Sequence, residues 1–295
     1  MGIRIPPFER YRTRMQRVLD FIDQHLDEDL GLDVLSGIAA FSKYHFHRQF
    51  NAVFGLPAHR YVQLARMKRA SYQLAYRDQM TVTEVALHAG FEAPEAFGRA
   101  FRQHFGQSPS SFRKSPKCEP WLEQLGPLVR ARNRLSTPYT SACVQILDVS
   151  DVPVAVMTHQ GDPTKISETI RRFIAWRKSA GLRPQASTVY NIFHSEPHPV
   201  TLEDYHVDIA VSYDRAISFR DDGVTAGVIP GGRCAMLRVV GSNDDLEPAA
   251  SFLYRDWLPQ SGEELRGFPL YCRRIRFFPD VTENEATAEL YLPLK

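Results

Sequence analysis

Residues 90–113 read GFEAPEAFGRAFRQHFGQSPSSFR, and residues 41–55 read FSKYHFHRQFNAVFG. The two stretches repeat one another. At an offset of 51, Phe46, Arg48, Phe50, Phe54 and Gly55 recur as Phe97, Arg99, Phe101, Phe105 and Gly106. Just upstream the offset is 50, so Leu35, Ser36 and Phe41 recur as Val85, Ala86 and Phe91, and one copy carries an extra residue in its central turn. The three phenylalanines of each copy stand at i, i+4 and i+8, which makes one buried stripe on an α-helix. A short helix, a tight turn and a second helix ending at glycine form a helix-turn-helix unit, predicted twice. Gly90 suits its turn because it takes positive φ without steric cost. Ser42 suits the start of the second helix as an N-cap.

With the phenylalanines inward, Lys43, Tyr44, His47, Arg48 and Asn51 point outward or to the flanks in the first copy. Glu95, Ala96, Arg99, Arg102 and Gln103 do so in the second. A helix that reads the major groove needs such a face of donors and acceptors, and arginine is the side chain best shaped to bridge guanine O6 and N7. Double-stranded DNA is therefore the expected partner, with Lys43, Tyr44, His47, Arg48, Glu95, Ala96, Arg99 and Arg102 as contact residues. Charge agrees in sign. Residues 1–120 hold 17 lysines and arginines against 12 acids, while the remainder holds 19 against 22, so the basic half is the one expected to meet a polyanion.

Around these units, residues 1–115 read as helix throughout. Met15, Val18, Leu19, Ile22 and Leu26 recur at helical spacing, as do Tyr61, Leu64, Met67, Ala70, Tyr72 and Leu74, the latter run preceded by Pro57. Residues 116–142 contain Pro116, Pro120, Pro127 and Pro138 with Arg130, Arg132 and Arg134 between them. They read as a solvated linker with a short helix near Trp121–Leu125. From Cys143 onward, strand patterns at Val144–Val149, Val154–His159, Val207–Tyr213, Cys234–Val240 and Ala286–Leu292 alternate with helices at Lys165–Ala180 and Leu246–Leu258. This part repeats too: Trp176, Gly181, Tyr190, Thr201, Asp208 and Val211 align at an offset of 81 with Trp257, Gly262, Tyr271, Thr282, Glu289 and Leu292. The expectation is a multidomain chain. An all-α N-terminal domain with two helix-turn-helix units spans residues 1–115, a linker spans 116–142, and an α+β domain built from a duplicated β-α-β-β unit spans 143–295. A cleft between its halves is the natural ligand site.

No apolar run approaches the roughly 20 residues a membrane helix needs, and the arginine-rich start has no apolar signal region. Cys118, Cys143, Cys234 and Cys272 form no C-x-x-C pair, so a cytoplasmic location is expected. His159, His194, His198 and His206 lack ligand spacing, so no metal site, catalytic set or cofactor is expected. Neither G-x-S-x-G, H-E-x-x-H nor a glycine-rich phosphate loop occurs, which argues against an enzyme.

The stretches 41–55 and 90–113 resemble the AraC family of transcription regulators over roughly residues 8–115. The resemblance implies two recognition helices held apart by a long helix around Ala58–Ala75 and entering successive major grooves. Family base-contact positions fall on Tyr44, His47 and Arg48, and on Pro94, Glu95, Ala96 and Arg99. Glu95 either accepts from a cytosine amino group or serves as a helix-start charge. Groups near Ser42, Arg102, Ser111, Arg113 and Lys114 are phosphate candidates.

The C-terminal part is similar to GyrI-like small-molecule-binding domains, through VPVAVMTHQG, VYNIFHSEPHPVTLEDYHVDIAV and FFPDVTENEATAELYLPLK. This resemblance implies a small-molecule effector in a cleft lined by aromatic side chains, for which Trp176, Tyr190, Phe193, Tyr254, Trp257, Phe268 and Tyr271 are candidates. Many relatives carry a glutamate two residues before the tyrosine matching Tyr271. Here Pro269 stands there and Thr188 in the other half, which leaves Glu196 and Glu289 as possible acids and two alternatives, a ligand that is not a cation or no ligand at all. A small hydrolase and a protein-interaction module, the latter contacting RNA polymerase or another regulator, are the alternative uses of this domain.

Overall fold

Helix follows helix through the first part of the chain, and three of them close on a left-handed residue, Ala40, Gly55 or Gly106. The computed structural model describes residues 7–134, 139–183, 187–195, 204–215, 223–241 and 245–295. They divide into two units, Met1–Thr137 and Pro138–Lys295. The first unit contains α1 (Pro7–Gln24), α2 (Leu32–Ala39), α3 (Lys43–Phe54), α4 (Ala58–Tyr76), α5 (Val82–His88), α6 (Pro94–Phe105), α7 (Pro109–Lys114) and α8 (Cys118–Asn133).

The two helix-turn-helix units are α2–α3 and α5–α6. Ala40 and Gly90, equivalent turn residues, both adopt positive φ, +52° and +70°, and the extra residue lies in the second turn. The phenylalanine stripes superpose in kind. Phe46–Phe50 and Phe97–Phe101 centroids lie 5.5 and 5.4 Å apart, and Phe50–Phe54 and Phe101–Phe105 lie 4.4 and 4.6 Å apart. The repeat also runs further than the sequence reading took it. Tyr61 meets Phe50 edge-on as Phe112 meets Phe101, so α7 is the second copy's counterpart of the first turns of α4.

Each copy has a core of its own. Phe46, Phe50 and Phe54 pack with α1, α2 and the first half of α4, whereas Phe97, Phe101, Phe105 and Phe112 pack with the second half of α4 and α5. The 19 residues of α4, about 28 Å at 1.5 Å per residue, thus serve both cores and set the spacing between copies.

The stretch read as a linker differs. Helix α8 occupies most of it, placing Leu125 in the second core and Leu128 and Ala131 in the first. Arg132, read as solvated, makes a bidentate pair with the buried carboxylate of Asp23 at 2.8 and 2.9 Å and donates to the Tyr61 hydroxyl. Arg134 donates to the Val53 carbonyl. Prolines at 116, 120 and 127 masked the helical pattern.

The second unit holds β1 (Val144–Val149), β2 (Val152–Gln160), α9 (Ile166–Ser179), β3 (Val189–Phe193), β4 (His206–Ser212), β5 (Val224–Ile229), β6 (Gly232–Val240), α10 (Leu246–Phe252), α11 (Leu258–Ser261), β7 (Leu270–Arg276) and β8 (Thr287–Pro293). Residues 253–257 form a π-turn joining α10 to α11. All strands lie in one antiparallel sheet, ordered β1-β6-β8-β7-β3-β4-β2-β5. The repeat is therefore β-β-α-β-β, one leading strand more than the β-α-β-β expected. Its pseudo-two-fold passes between β3 and β7, where the equivalent residues Asn191 and Cys272 face each other. The leading strands cross over: β1 pairs with β6 and β5 with β2.

Both helices cover the same face of the sheet. Phe173 and Trp176 of α9 pack on Ala155, Met157, Ile209 and Val211, and the α10 region packs Leu246, Leu253 and Trp257 on Leu237, Leu270 and Leu290. The helix-free face carries a third cluster that spans both halves, including Val154, Tyr190, Ile192, Met236, Tyr271 and Tyr291.

Candidate nucleic-acid interface and effector face

Helix α3 starts at Ser42, whose side chain accepts from the His45 amide at 3.4 Å. With Phe46, Phe50 and Phe54 fully buried, Tyr44, His47, Arg48 and Asn51 are exposed on the opposite side. Arg48 donates to the Tyr44 hydroxyl at 2.8 Å and lies over its ring, so these two side chains form one preassembled group. Lys43 pairs with Asp33 of α2, both side chains well exposed; such a pair is weak and yields readily to a phosphate.

Helix α6 starts differently. Its N-cap is Ala93, which offers no side-chain bond, and Pro94 takes the first helical position. Glu95, Arg99, Arg102 and Gln103 are exposed and Ala96 half-buried. Among the described residues Arg99 has no side-chain hydrogen bond or ion pair. Below this face His104 is held with its Nε2 unpartnered, and burial, with the Arg60 charge added, pulls it down to about 4.

On the helix-free face of the sheet, Tyr271 stacks on Tyr291 with centroids 5.0 Å apart and rings 4° from parallel. Tyr190 and Phe268 approach Tyr271 at 6.4 and 6.1 Å. All three tyrosines are buried within this cluster, and burial pushes the phenols of Tyr190, Tyr271 and Tyr291 upward, so their hydroxyls stay neutral. Tyr291 donates to Glu289 at 2.8 Å, and Glu289, 3% exposed, is clamped by Arg238 and Arg273 at 2.7 and 2.8 Å. Burial raises the Glu289 carboxyl, but the bonds from Arg238 and Tyr291 and the Arg273 charge outweigh it and hold the group below the usual carboxylate range.

Residues 143–295, more than half of the chain, match the family of GyrI-like small molecule binding domains. The chain belongs to the GyrI-like family. Residues 35–115 match a helix-turn-helix domain family, and this part is of the AraC type. "Probable transcriptional regulator YgiV" of Escherichia coli (strain K12) is 33% identical over 152 residues, 51% of this chain and 95% of that protein. "Uncharacterized HTH-type transcriptional regulator YbfP" of Bacillus subtilis (strain 168) is 32% identical over 120 residues, 39% of this chain and 40% of that protein. Among solved structures, the crystal structure of the EcmrR C-terminal domain is similar over 52% of this chain and 96% of that one, at 14% identity and a TM-score of 0.42. No helix among the described residues is long and apolar enough to cross a membrane.

Within the GyrI-like domain, the aromatic residues singled out from sequence do not share one face. Tyr190, Phe268 and Tyr271 come together on the helix-free side. Trp176 and Trp257 fill the cores under the helices, Phe193 packs against the core that holds Trp257, and Tyr254 is exposed on the π-turn. The halves meet in a continuous sheet, so the place between them is the middle of that sheet. Tyr291 was missed; the alternation Glu289–Leu290–Tyr291–Leu292 carries the signal, because it sets Tyr291 on the face opposite the leucines. The acid candidate Glu196 lies outside the described residues, as does His198.

Proposed function

We propose that this chain is a sequence-specific transcription regulator in which residues 1–115 read duplex DNA and residues 143–295 bind an uncharged, flat effector. The observation that carries the first part is the placement of Arg48 and Arg99 at equivalent, exposed positions on helices whose undersides are buried phenylalanine. The N-terminal halves of α3 and α6 carry the base-reading residues: Tyr44, His47 and Arg48 in one, Glu95, Ala96 and Arg99 in the other. Lys43 and Arg102 flank them toward phosphate. On this reading Arg99→Ala weakens binding to a duplex selected from a random pool by about 1–3 kcal/mol and relaxes choice at one base pair. Unchanged affinities for selected and random duplexes in a gel-shift titration would remove the role.

For the effector, the stacked tyrosines supply flat apolar rings that are buried in the cluster and that a ligand would part to reach. The Arg238–Glu289–Arg273 clamp leaves that acid no free charge for an organic cation. A rise in Tm of the full chain with a neutral aromatic compound, lost in Tyr271→Ala, supports this use and not catalysis. Turnover of a test ester points to a hydrolase. Capture of RNA polymerase without either response points to a protein contact.

A further inference from the structure

The half of the sheet without the arginine clamp carries a different polar cluster at the equivalent place. His194 continues the β3–β4 ladder by one residue, its amide donating to the His206 carbonyl at 3.1 Å. The two histidines thus form a directly opposed cross-strand pair, and their rings stack at 4.0 Å and 14°. Asp208 lies two residues along β4 and so on the same face. One carboxylate oxygen is 2.7 Å from His194 Nε2 and the other 3.7 Å from His206 Nε2. The second separation is too long for a hydrogen bond.

We propose that His194, His206 and Asp208 bind a divalent transition-metal ion of the zinc class. One ligand atom from each lies within 4.8 Å of the others. Ligand atoms on one zinc stand about 3–4 Å apart, given bonds of about 2.0–2.2 Å, so closure needs side-chain rotation and no backbone movement. Strand β4 fixes the Cα atoms of His206 and Asp208, and the amide bond to the His206 carbonyl holds that of His194. Thr158, across from Asp208 on β2, donates to the Asp208 carboxylate at 2.5 Å, the kind of outer bond that orients a metal-ligating carboxylate. Two imidazoles and one carboxylate suit Zn²⁺, Co²⁺, Ni²⁺ or Cu²⁺ over Mg²⁺ or Ca²⁺. Three protein ligands leave a position open on the same side of the sheet as Tyr190.

The duplication supplies an internal control. In the other half Glu289 replaces Asp208, Arg238 replaces Thr158 and Arg273 replaces Ile192. Ile275, at a register shift, and Thr287 stand where the histidines do. That acid is closed by two guanidinium groups. The backbone therefore accepts either arrangement, and only one copy keeps imidazole lone pairs beside its acid.

The test is calorimetric titration of the chelator-stripped full chain with Zn²⁺, repeated with Co²⁺ in an absorption cell. One ion per chain, with a Co²⁺ spectrum lacking thiolate charge-transfer bands, is the expected result. His206→Ala and Asp208→Ala should weaken binding at least tenfold, and Thr158→Val about tenfold. Cys143→Ala, which removes an exposed thiol, should leave it unchanged. Absence of saturable binding, or a His194→Ala/His206→Ala variant that binds as tightly as the parent, overturns the site. Should that variant not fold, the imidazole nitrogen resonances of the parent chain decide: Nε2 shifts of both histidines on adding Zn²⁺ support it, and no shift overturns it.

Discussion

The chain is duplicated twice, and the two duplications are built in opposite ways. In the helical unit each copy encloses its own phenylalanine core, and the copies are joined by elements that run past both, α4 and α8. In the sheet unit each helix still covers a core of its own, but the copies are knit together: three strand pairings, β1 with β6, β3 with β7 and β5 with β2, cross from one to the other, and the helix-free cluster is shared. The helical copies are modules on a spacer, which suits two readers that must address separate turns of a duplex. The sheet copies are fused, which gives one continuous face whose two ends have diverged chemically.

The sharpest way to break this contrast is to cut into one core. Phe101→Ala should cost about 3–5 kcal/mol, with amide-exchange protection falling in α5–α7 while α2–α3 stay protected; equal loss in both copies would show that the cores are not separate. Tyr271→Ala should instead lower protection in strands of both sheet halves. Next in size is Asp23→Ala, about 3 kcal/mol, because it strands the Arg132 guanidinium against a half-emptied site. Since α8 touches both helical cores, this loss should appear in both copies by the same exchange experiment. Smaller still is Ser42→Ala, about 1 kcal/mol through a lost cap, while Ala93→Ser in the other copy should gain a fraction of that in urea midpoint.

The smallest effect at neutral pH grows on acidification. His104 is held at about 4 in the fold against about 6.5 in an unfolded chain. Between these values the unfolded state takes up a proton that the folded state refuses, so stability falls as pH drops through that window. The first copy carries Val53 at the equivalent position. His104→Val should flatten the pH dependence of the urea midpoint between about pH 6.5 and 4, and an unchanged slope would remove His104 as its source.

Both duplications were legible in the sequence because they repeat large side chains at fixed spacing, and the exposed faces of α3 and α6 followed from the phenylalanine stripe. What escaped has physical causes. Strand β3 is only five residues long and β5 is interrupted by Gly227, so neither shows clear alternation. Helix α8 hides behind prolines. Residue type alone picks out aromatic side chains, but which face a strand residue takes depends on its parity within the strand, and so on where the strand begins. The histidine pair is 12 positions apart in sequence and adjacent only through the ladder, a proximity that no linear motif records.

The crossed leading strands of the sheet unit carry a mechanical meaning. A polypeptide severed between β4 and β5 would leave each fragment missing an outer strand that the other fragment owns. The pieces would then recognise one another through three seams at once. Tension applied at Val144 falls first on the β1–β6 ladder at the sheet edge, so the first bonds to give are ones that tie one copy to the other.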